Sequence, residues 1–317
     1  MIYIQEIGSY IPDNYISNYQ RKGMFNIDNH FIEQSIGIKQ VSRKLKDEDT
    51  SDMCLKAFEN LLRKTKIKVE DIDCIVVCTQ NPDKEGLPNT ASILHKKMGA
   101  VEECASFDIS IGCSGYIYGL SIVKSFIESN NMKNGLLFTC DPYSKIINDI
   151  DKNTTLLFGD AATVTLLINT NHMNTNTSKS GFSPIRFIFS TQGEKYSLNK
   201  VNGFINMNGR AVYNFSAKKV PVQVRKLLDV EKMDAEKIDL FIFHQGSKFI
   251  VETLRKRLEL PRDKVPIYLE NQGNTISSSI PLILESKLNN NELEYVILSG
   301  FGIGLSWASC LLMRKFE

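Results

Sequence analysis

Three features of this sequence predict an α/β protein built from two similar halves. Strand-like and helix-like stretches alternate over most of the 317 residues. Such alternation implies mostly parallel sheets covered by helices. A phrase also recurs, one residue shorter. Lys68-Val69-Glu70-Asp71-Ile72-Asp73-Cys74-Ile75-Val76-Val77-Cys78-Thr79-Gln80 can be laid over Asp234-Ala235-Glu236-Lys237-Ile238-Asp239-Leu240-Phe241-Ile242-Phe243-His244-Gln245. Each is an acidic turn, then Ile-Asp, then an apolar strand ending in glutamine. The halves also close alike, with Phe158-Gly159-Asp160-Ala161 and Phe301-Gly302-Ile303-Gly304 each followed by an apolar tail. Repetition of this kind argues for duplication.

Residues 1–10 read as a strand, and 11–45 as polar and irregular, with a short helix around Asp28–Ile36 before Gly37. Thr50-Ser51 can cap a helix running to Lys66, whose apolar positions Met53, Ala57, Leu61 and Leu62 recur near helical spacing. Residues 74–80 are short, apolar and β-branched, as a strand buried on both faces would be. A loop over 81–88 and a helix to Met98 follow. Phe107 to Ile111 ends in small residues, then an apolar helix runs to Ser129. Gly135 to Cys140 is another buried strand, 141–154 is polar, and 156–168 reads as a long strand kinked at Gly159–Ala162. Asn169 to Ser180 is the best linker. The second half opens with weaker strands at 185–190 and 202–207 and a helix over 213–230, before the repeated strand.

A hydrophobic share of 42% and a formal charge of +2 are ordinary for a soluble protein. With no basic block, a nucleic-acid partner is not expected. Apolar runs stop well short of a membrane span. Met1 to Glu6 reads as a first strand, not a signal peptide. The seven cysteines lack metal-ligand spacing, and an odd count of free thiols suits a reducing cytoplasm. Cys74 and Cys78 read as packed thiols in a strand.

Cys113 differs. It lies in Ile111-Gly112-Cys113-Ser114-Gly115, between a strand and a helix start. Unpaired amides there carry partial positive charge, so a thiolate is favoured and the pKa falls. Flanking glycines allow close approach of a substrate. His30, His95 and His172 sit in polar surroundings, whereas His244 ends a buried apolar run. Further on, Asn271-Gln272-Gly273-Asn274-Thr275 presents amide side chains before Ser277-Ser278-Ser279 start a helix. Ser299-Gly300-Phe301-Gly302-Ile303-Gly304 offers backbone N–H groups for an oxyanion, or else is a tight turn between strands. Cysteine, histidine, asparagine and a glycine loop together suit acyl chemistry. A thioester acylates Cys113, and His244 with Asn274 steadies the enolate formed when a second thioester decarboxylates. No metal or redox cofactor is required.

At these motifs, over essentially the whole chain, the sequence resembles the thiolase superfamily, most closely its β-ketoacyl-ACP synthase III branch. The resemblance implies a duplicated five-layer α-β-α-β-α fold, divided into halves 1–170 and 171–317, and a cytoplasmic homodimer. It implies Cys113 as nucleophile, His244 and Asn274 as the decarboxylation pair, and the amides of Cys113 and Ile303 as oxyanion hole. Phe31, Leu87, Lys152, Gly209, Tyr213, Gly246, Ser247 and Phe301 fall among its substrate-contacting positions, Leu87 where the dimer partner closes the acyl pocket. The substrates implied are an acyl-CoA or acyl-ACP and a malonyl thioester, in fatty-acid or secondary-metabolite synthesis. Phe31 stands for a tryptophan, Ser35 and Lys152 for arginines, Ser247 for an asparagine and Ile303 for a glycine. Ser35 cannot replace a guanidinium's bidentate phosphate contacts. Delivery by an acyl-carrier protein docking near Lys256 and Arg257 is therefore expected over free acyl-CoA. Acyl transfer to an amine or hydroxyl without decarboxylation, and a non-catalytic partner subunit, are the alternative readings.

Overall fold

The computed structural model describes residues 1–172, 181–194 and 197–315. Its first half holds β1 (Ile2–Tyr10), β2 (Tyr15–Ser17), α1 (Lys22–Phe25), β3 (Gln40–Ser42), α2 (Thr50–Lys64), β4 (Cys74–Cys78) and α3 (Thr90–Met98). β5 (Ala105–Ile109), α4 (Gly115–Ser129), β6 (Asn134–Cys140), α5 (Lys152–Thr155) and β7 (Ala162–Asn169) complete it. The stretch read as irregular thus carries a small antiparallel β2–β3 pair, and the expected helix before Gly37 is a π-helical turn over Phe31–Ile36. The cap of α2 is Asp49, not Thr50 or Ser51. Its carboxylate accepts the Thr50 N–H, and Asp52 accepts the Asp49 N–H in return. The two hydroxyls instead bond Asn81 and Asp83 of the following loop. The long strand expected over 156–168 begins only at Ala162, because residues 157–159 leave the sheet to pair with the turn at Asn274.

The second half holds β8 (Gly181–Thr191), the hairpin β9 (Leu198–Val201) and β10 (Phe204–Met207), α6 (Gly209–Glu231), β11 (Leu240–Phe243), α7 (Lys248–Arg257), α8 (Ser279–Glu285), β12 (Tyr295–Gly302) and β13 (Ser306–Lys315). The strand expected at 185–190 is the middle of the longer β8, and α6 starts at Gly209 rather than near 213. Of the expected linker, Thr170–His172 form a single turn and 173–180 lie outside the described residues.

Nine strands form one hydrogen-bonded run, β11-β12-β13-β8-β1-β7-β6-β4-β5, among the described residues. Its halves meet at a single residue pair, Ile4 with Phe182. Outward from that joint, the first half places its first strand, then its last, then β6, β4 and β5. The second half repeats the order with β8, β13, β12 and β11. The place matching β5 is taken by the irregular residues 264–268. They bond the β11 region through the Phe241 N–H to the Lys264 carbonyl and the Tyr268 N–H to Gln245 Oε1, without forming a strand. The same winding in both halves is the duplication that the repeated phrase predicted.

The expectation of mostly parallel sheets is corrected. Among the strand pairs of the described residues, β4–β5, β4–β6 and β11–β12 are parallel, whereas β1–β7, β6–β7, β12–β13 and β8–β13 are antiparallel. A parallel pair needs a crossover, usually helical, and three residues between β12 and β13 allow only a hairpin. The β6–β7 connection likewise carries no more than short turns and the four-residue α5.

Three of the apolar clusters hold five layers together, the middle one spanning both faces of the central helices. α2 and α3 cover the outer face of the first sheet, with Phe58, Leu61, Leu94 and Val77 in contact. α4 and α8 lie between the sheets and bury Tyr116, Leu120, Ile280 and Leu284 against both. α6 and α7 cover the outer face of the second sheet. α4 is apolar on most sides because two sheets sandwich it. Full burial of its Ile117, Leu120, Val123 and Ile127 contributes about 1.5–3 kcal/mol each. Among the described residues no helix is long and apolar enough to cross a membrane, and no three His, Cys, Asp or Glu side chains are grouped to hold a metal.

Candidate active site

Each of the three chemistry-bearing residues sits just beyond a sheet strand or in a turn leading to a central helix. Cys113 lies between β5 and α4, His244 follows β11, and Asn274 precedes α8. The fold brings all three to one cavity of about 380 Å³, otherwise walled mainly by apolar side chains such as Leu157, Phe158, Met207, Val212 and Phe301.

The Cys113 turn is closed by the Gly115 N–H donating to the Gly112 carbonyl at 2.7 Å. Ser114 Oγ lies 2.6 Å from Ser306 Oγ, which ties the turn to β13. β12 passes so close that a Cβ at Gly302 would lie 2.8 Å from Cys113 Sγ, and one at Gly300 2.8 Å from the Cys113 carbonyl. These glycines serve close approach. Residues up to Gly302 belong to the strand and pair with β13, so the loop is not a row of exposed donors. The amides that face Cys113 Sγ are those of Cys113 itself and Ile303.

The expected low thiol pKa is corrected. Burial pushes the Cys113 thiol up to about 12, Asp141 adds to the rise, and the two amides only partly offset it. The sequence showed the helix start but not the depth at which the sulfur sits. Taking a thiolate out of water outweighs the local dipoles.

His244 is buried, and that burial drives its pKa down to about 3, so the ring is neutral. Nδ1 lies 2.8 Å from Ser279 Oγ. The Ser279 hydroxyl donates to the Ile276 carbonyl at 3.0 Å and accepts the Gln245 N–H at 3.3 Å. In that pattern Oγ accepts from Nδ1–H, which leaves the Nε2 lone pair open. Rotation of the hydroxyl toward Nδ1 gives the other tautomer, with the proton on Nε2. Phe301 packs edge-on against the ring at 5.4 Å.

Asn274 Oδ1 accepts the Ile276 N–H at 3.0 Å, so its NH2 is the group left to donate. Its backbone is clamped by the first half. The Asn274 N–H donates to the Leu157 carbonyl at 2.8 Å, and the Gly159 N–H donates to the Asn274 carbonyl at 2.9 Å. Buried Arg43 supports that segment by donating to the carbonyls of Phe158 and Thr155.

The remaining expected positions divide. Gly209, Tyr213, Gly246, Ser247 and Phe301 line the cavity. Tyr213 stacks on Phe249 at 5.1 Å, and Ser247 caps α7 by accepting the Ile250 N–H. Phe31 and Lys152 face each other, the Nζ 5.0 Å from the ring centroid, while Ser35 reaches the cavity wall. Leu87 is 87% exposed on its loop and lies away from the cavity. The Ile303 side chain lines a separate concavity. Sequence reasoning missed Asp141 and the role of Ser279. Asp141 accepts the Gln80 N–H at 2.6 Å and the Ser277 hydroxyl at 2.5 Å. A lone carboxylate directly after a buried strand was the available signal.

Residues 107–183 and 228–314 match the models described as 3-oxoacyl-(acyl-carrier-protein) synthase III and its C-terminal part. The chain is 33% identical to a beta-ketoacyl-(acyl-carrier-protein) synthase III of Clostridium perfringens, over 96% of this chain and 97% of that one. It is 32% identical to the protein of that name in Streptococcus mutans, over 98% of each. A crystal structure of 3-oxoacyl-(acyl-carrier-protein) synthase III from Aquifex aeolicus superposes with a TM-score of 0.88 at 28% identity, covering 99% of this chain and 100% of that one.

Proposed function

The chain belongs to the 3-oxoacyl-(acyl-carrier-protein) synthase III family, and on that premise we propose that it is a decarboxylative condensing enzyme. The observation that carries the reading is the single cavity lined by Cys113, His244 and Asn274, with the Cys113 and Ile303 amides turned toward the sulfur. Residues 1–170 supply the nucleophile and 171–317 the histidine and asparagine.

In the loading step Cys113 Sγ attacks the acyl thioester carbonyl while His244 Nε2 takes the thiol proton. The thiol's high pKa makes that acceptor necessary. The Cys113 and Ile303 amides hold the tetrahedral oxyanion. The carrier C–S bond breaks, and the departing thiolate recovers the proton from Nε2. In the condensing step a malonyl thioester enters the same cavity. With the Ser279 hydroxyl turned to Nδ1, Nε2–H and the Asn274 NH2 both donate to the thioester carbonyl. They stabilise the enolate as carbon dioxide leaves. The carbanion attacks the acyl-cysteine carbonyl, and collapse of that adduct expels the Cys113 thiolate, which takes up the one proton the condensation consumes from solvent. His244 is neutral at rest and cationic only while it holds the thiol proton during loading, so between the two steps its change from acceptor to donor is tautomeric.

An acyl-carrier protein is the donor in this reading. Phe31 offers a ring face, but Ser35 places no guanidinium at the mouth. Lys256 and Arg257, exposed in the last turn of α7, suit an acidic carrier. A homodimer fits the open outer edge of β5 at the end of the strand run and the exposed Leu87. The pathway proposed is fatty-acid synthesis or a related secondary pathway.

The test is intact mass of the protein after incubation with acyl-CoA and acyl-carrier-protein donors, with Cys113→Ala as control, followed by release of labelled carbon dioxide from malonyl thioester. Acylation of wild type alone and carbon dioxide release support the reading. Acylation without release would favour transfer to an amine or hydroxyl. A folded protein that takes up no acyl group would refute both.

A further inference from the structure

Arg43 is a buried cation, 6% exposed, and among the described residues no carboxylate lies within ion-pair distance of it. Asp160 and Asp149 act on it only from further away. Its side-chain hydrogen bonds go to backbone carbonyls instead. Nη1 donates to Phe158 at 2.5 Å and to Ser42 at 3.3 Å, and Nη2 donates to Thr155 at 3.2 Å. Two of these carbonyls belong to the segment that leaves the sheet before β7. Buried carbonyls outside a ladder need other donors. Asn18 holds the Leu156 carbonyl at 2.9 Å, and Arg21 shares that of Thr155. The Phe158 carbonyl falls to Arg43. A planar guanidinium fork can hold two carbonyls at a fixed separation, which a single ammonium cannot.

Between the two anchored carbonyls lies Leu157, whose own carbonyl accepts the Asn274 N–H, and just beyond them Gly159 donates to the Asn274 carbonyl. The Asn274 side chain is tied in turn to its own turn by the Ile276 N–H on Oδ1. The direction of its NH2 therefore follows its backbone, and its backbone follows residues 155–159. The other reactive groups are placed by different contacts. Cys113 is held by its own turn, by the link from Ser114 to Ser306 and by β12, and His244 by β11 and Ser279. Arg43 bonds none of these. We propose that Arg43 is a positioning residue for the condensing step, which aims the Asn274 amide at the malonyl thioester carbonyl by way of residues 155–159 and has no part in loading Cys113. The inference rests on the condensing reading, and Arg43 itself touches no substrate.

Acetyl- and malonyl-N-acetylcysteamine separate the two steps, because these thioesters need no carrier docking. Mass gain on Cys113 reads loading, and labelled carbon dioxide released by preloaded protein reads condensation. Arg43→Met keeps an unbranched stem and removes every donor. It should lower carbon dioxide release about 100-fold, as a displacement of about 1 Å does, while loading stays within about threefold of wild type. Arg43→Lys keeps the charge without the fork, so release should fall about tenfold with loading again unchanged. That variant decides the matter if Arg43→Met does not fold. In protein already carrying Asn274→Ala, Arg43→Met should lower release by less than about threefold more, because the amide it aims is gone. A purely structural role would add its full cost there. Equal losses in loading and release, a full further loss beside Asn274→Ala, or wild-type release by a folded variant would each overturn the proposal and leave the condensing reading standing. Failure of wild type to acylate or to release carbon dioxide would remove the condensing reading, and this inference with it.

Discussion

Alkylation of Cys113 should rise about tenfold for each unit of pH between 7 and 10, with no plateau. The thiol is buried, and its pKa is raised from 9.0 to about 12. At pH 8 a thiol of pKa 9 is roughly one-tenth ionised, whereas one of pKa 12 is ionised about once in 10⁴ molecules. The difference of about three units corresponds to about 4 kcal/mol favouring the neutral form. The assay is iodoacetamide labelling read by intact mass, with peptide mapping to assign the site. Cys113→Ala supplies the background from the other six cysteines, all buried. The slope against pH is the quantity of interest, because slow access to the sulfur lowers every rate equally. A plateau at or below pH 8 would refute the reasoning. It would mean that the peptide dipoles at the start of α4 outweigh desolvation, and that loading needs no proton acceptor.

Three further outcomes follow from the geometry. Asn274→Asp keeps the acceptor for the Ile276 N–H but removes the NH2 donor, so malonyl decarboxylation should fall roughly 100-fold while Cys113 still loads; equal losses in both steps would contradict the assigned role. Burial raises the Asp141 pKa from 3.8 to about 6, so the stability it gives is fully present below about pH 4 and is lost as pH rises through 6. In urea unfolding, Asp141→Asn should therefore gain on wild type by up to about 3 kcal/mol between pH 4 and 7.5, and a pH-independent difference would speak against this. At Gly159 a Cβ would lie 1.7 Å from the Gln272 carbonyl oxygen, so Gly159→Ala should destabilise by at least about 1–3 kcal/mol; an unchanged melting temperature would show that the contact relaxes freely.

The repeat of residues 68–80 in 234–245 revealed the duplication because both copies place an apolar strand between helices, and local pattern is what a sequence displays. Strand direction was not visible in the same way. The hairpin joining β12 and β13 turns on three residues, of which Gly304 and Leu305 bond Gln192 and Glu194 more than a hundred positions earlier in the chain. Cys113, His244 and Asn274 were legible because each is a reactive side chain beside glycine or at the end of an apolar run. The electrostatics of Cys113 were not, since burial is set by β12 passing nearly two hundred positions later in the chain. Ser279 lay in a run of hydroxyl residues that looked like helix capping. Its hydrogen bond to His244 appears only when α8 packs between the sheets.

The clamp on the Asn274 backbone makes the candidate site a joint product of both parts of the chain. The turn bearing Asn274 belongs to the second half by sequence, yet its backbone is paired with residues 157–159 and its neighbour Gln272 with Ser42, all of the first half. A chain whose halves have each folded but have not docked would therefore have its thiol and its histidine without a positioned amide donor. On the proposed roles, such a species would lack the donor that steadies the enolate, so loss of malonyl thioester as carbon dioxide is tied to docking of the two parts.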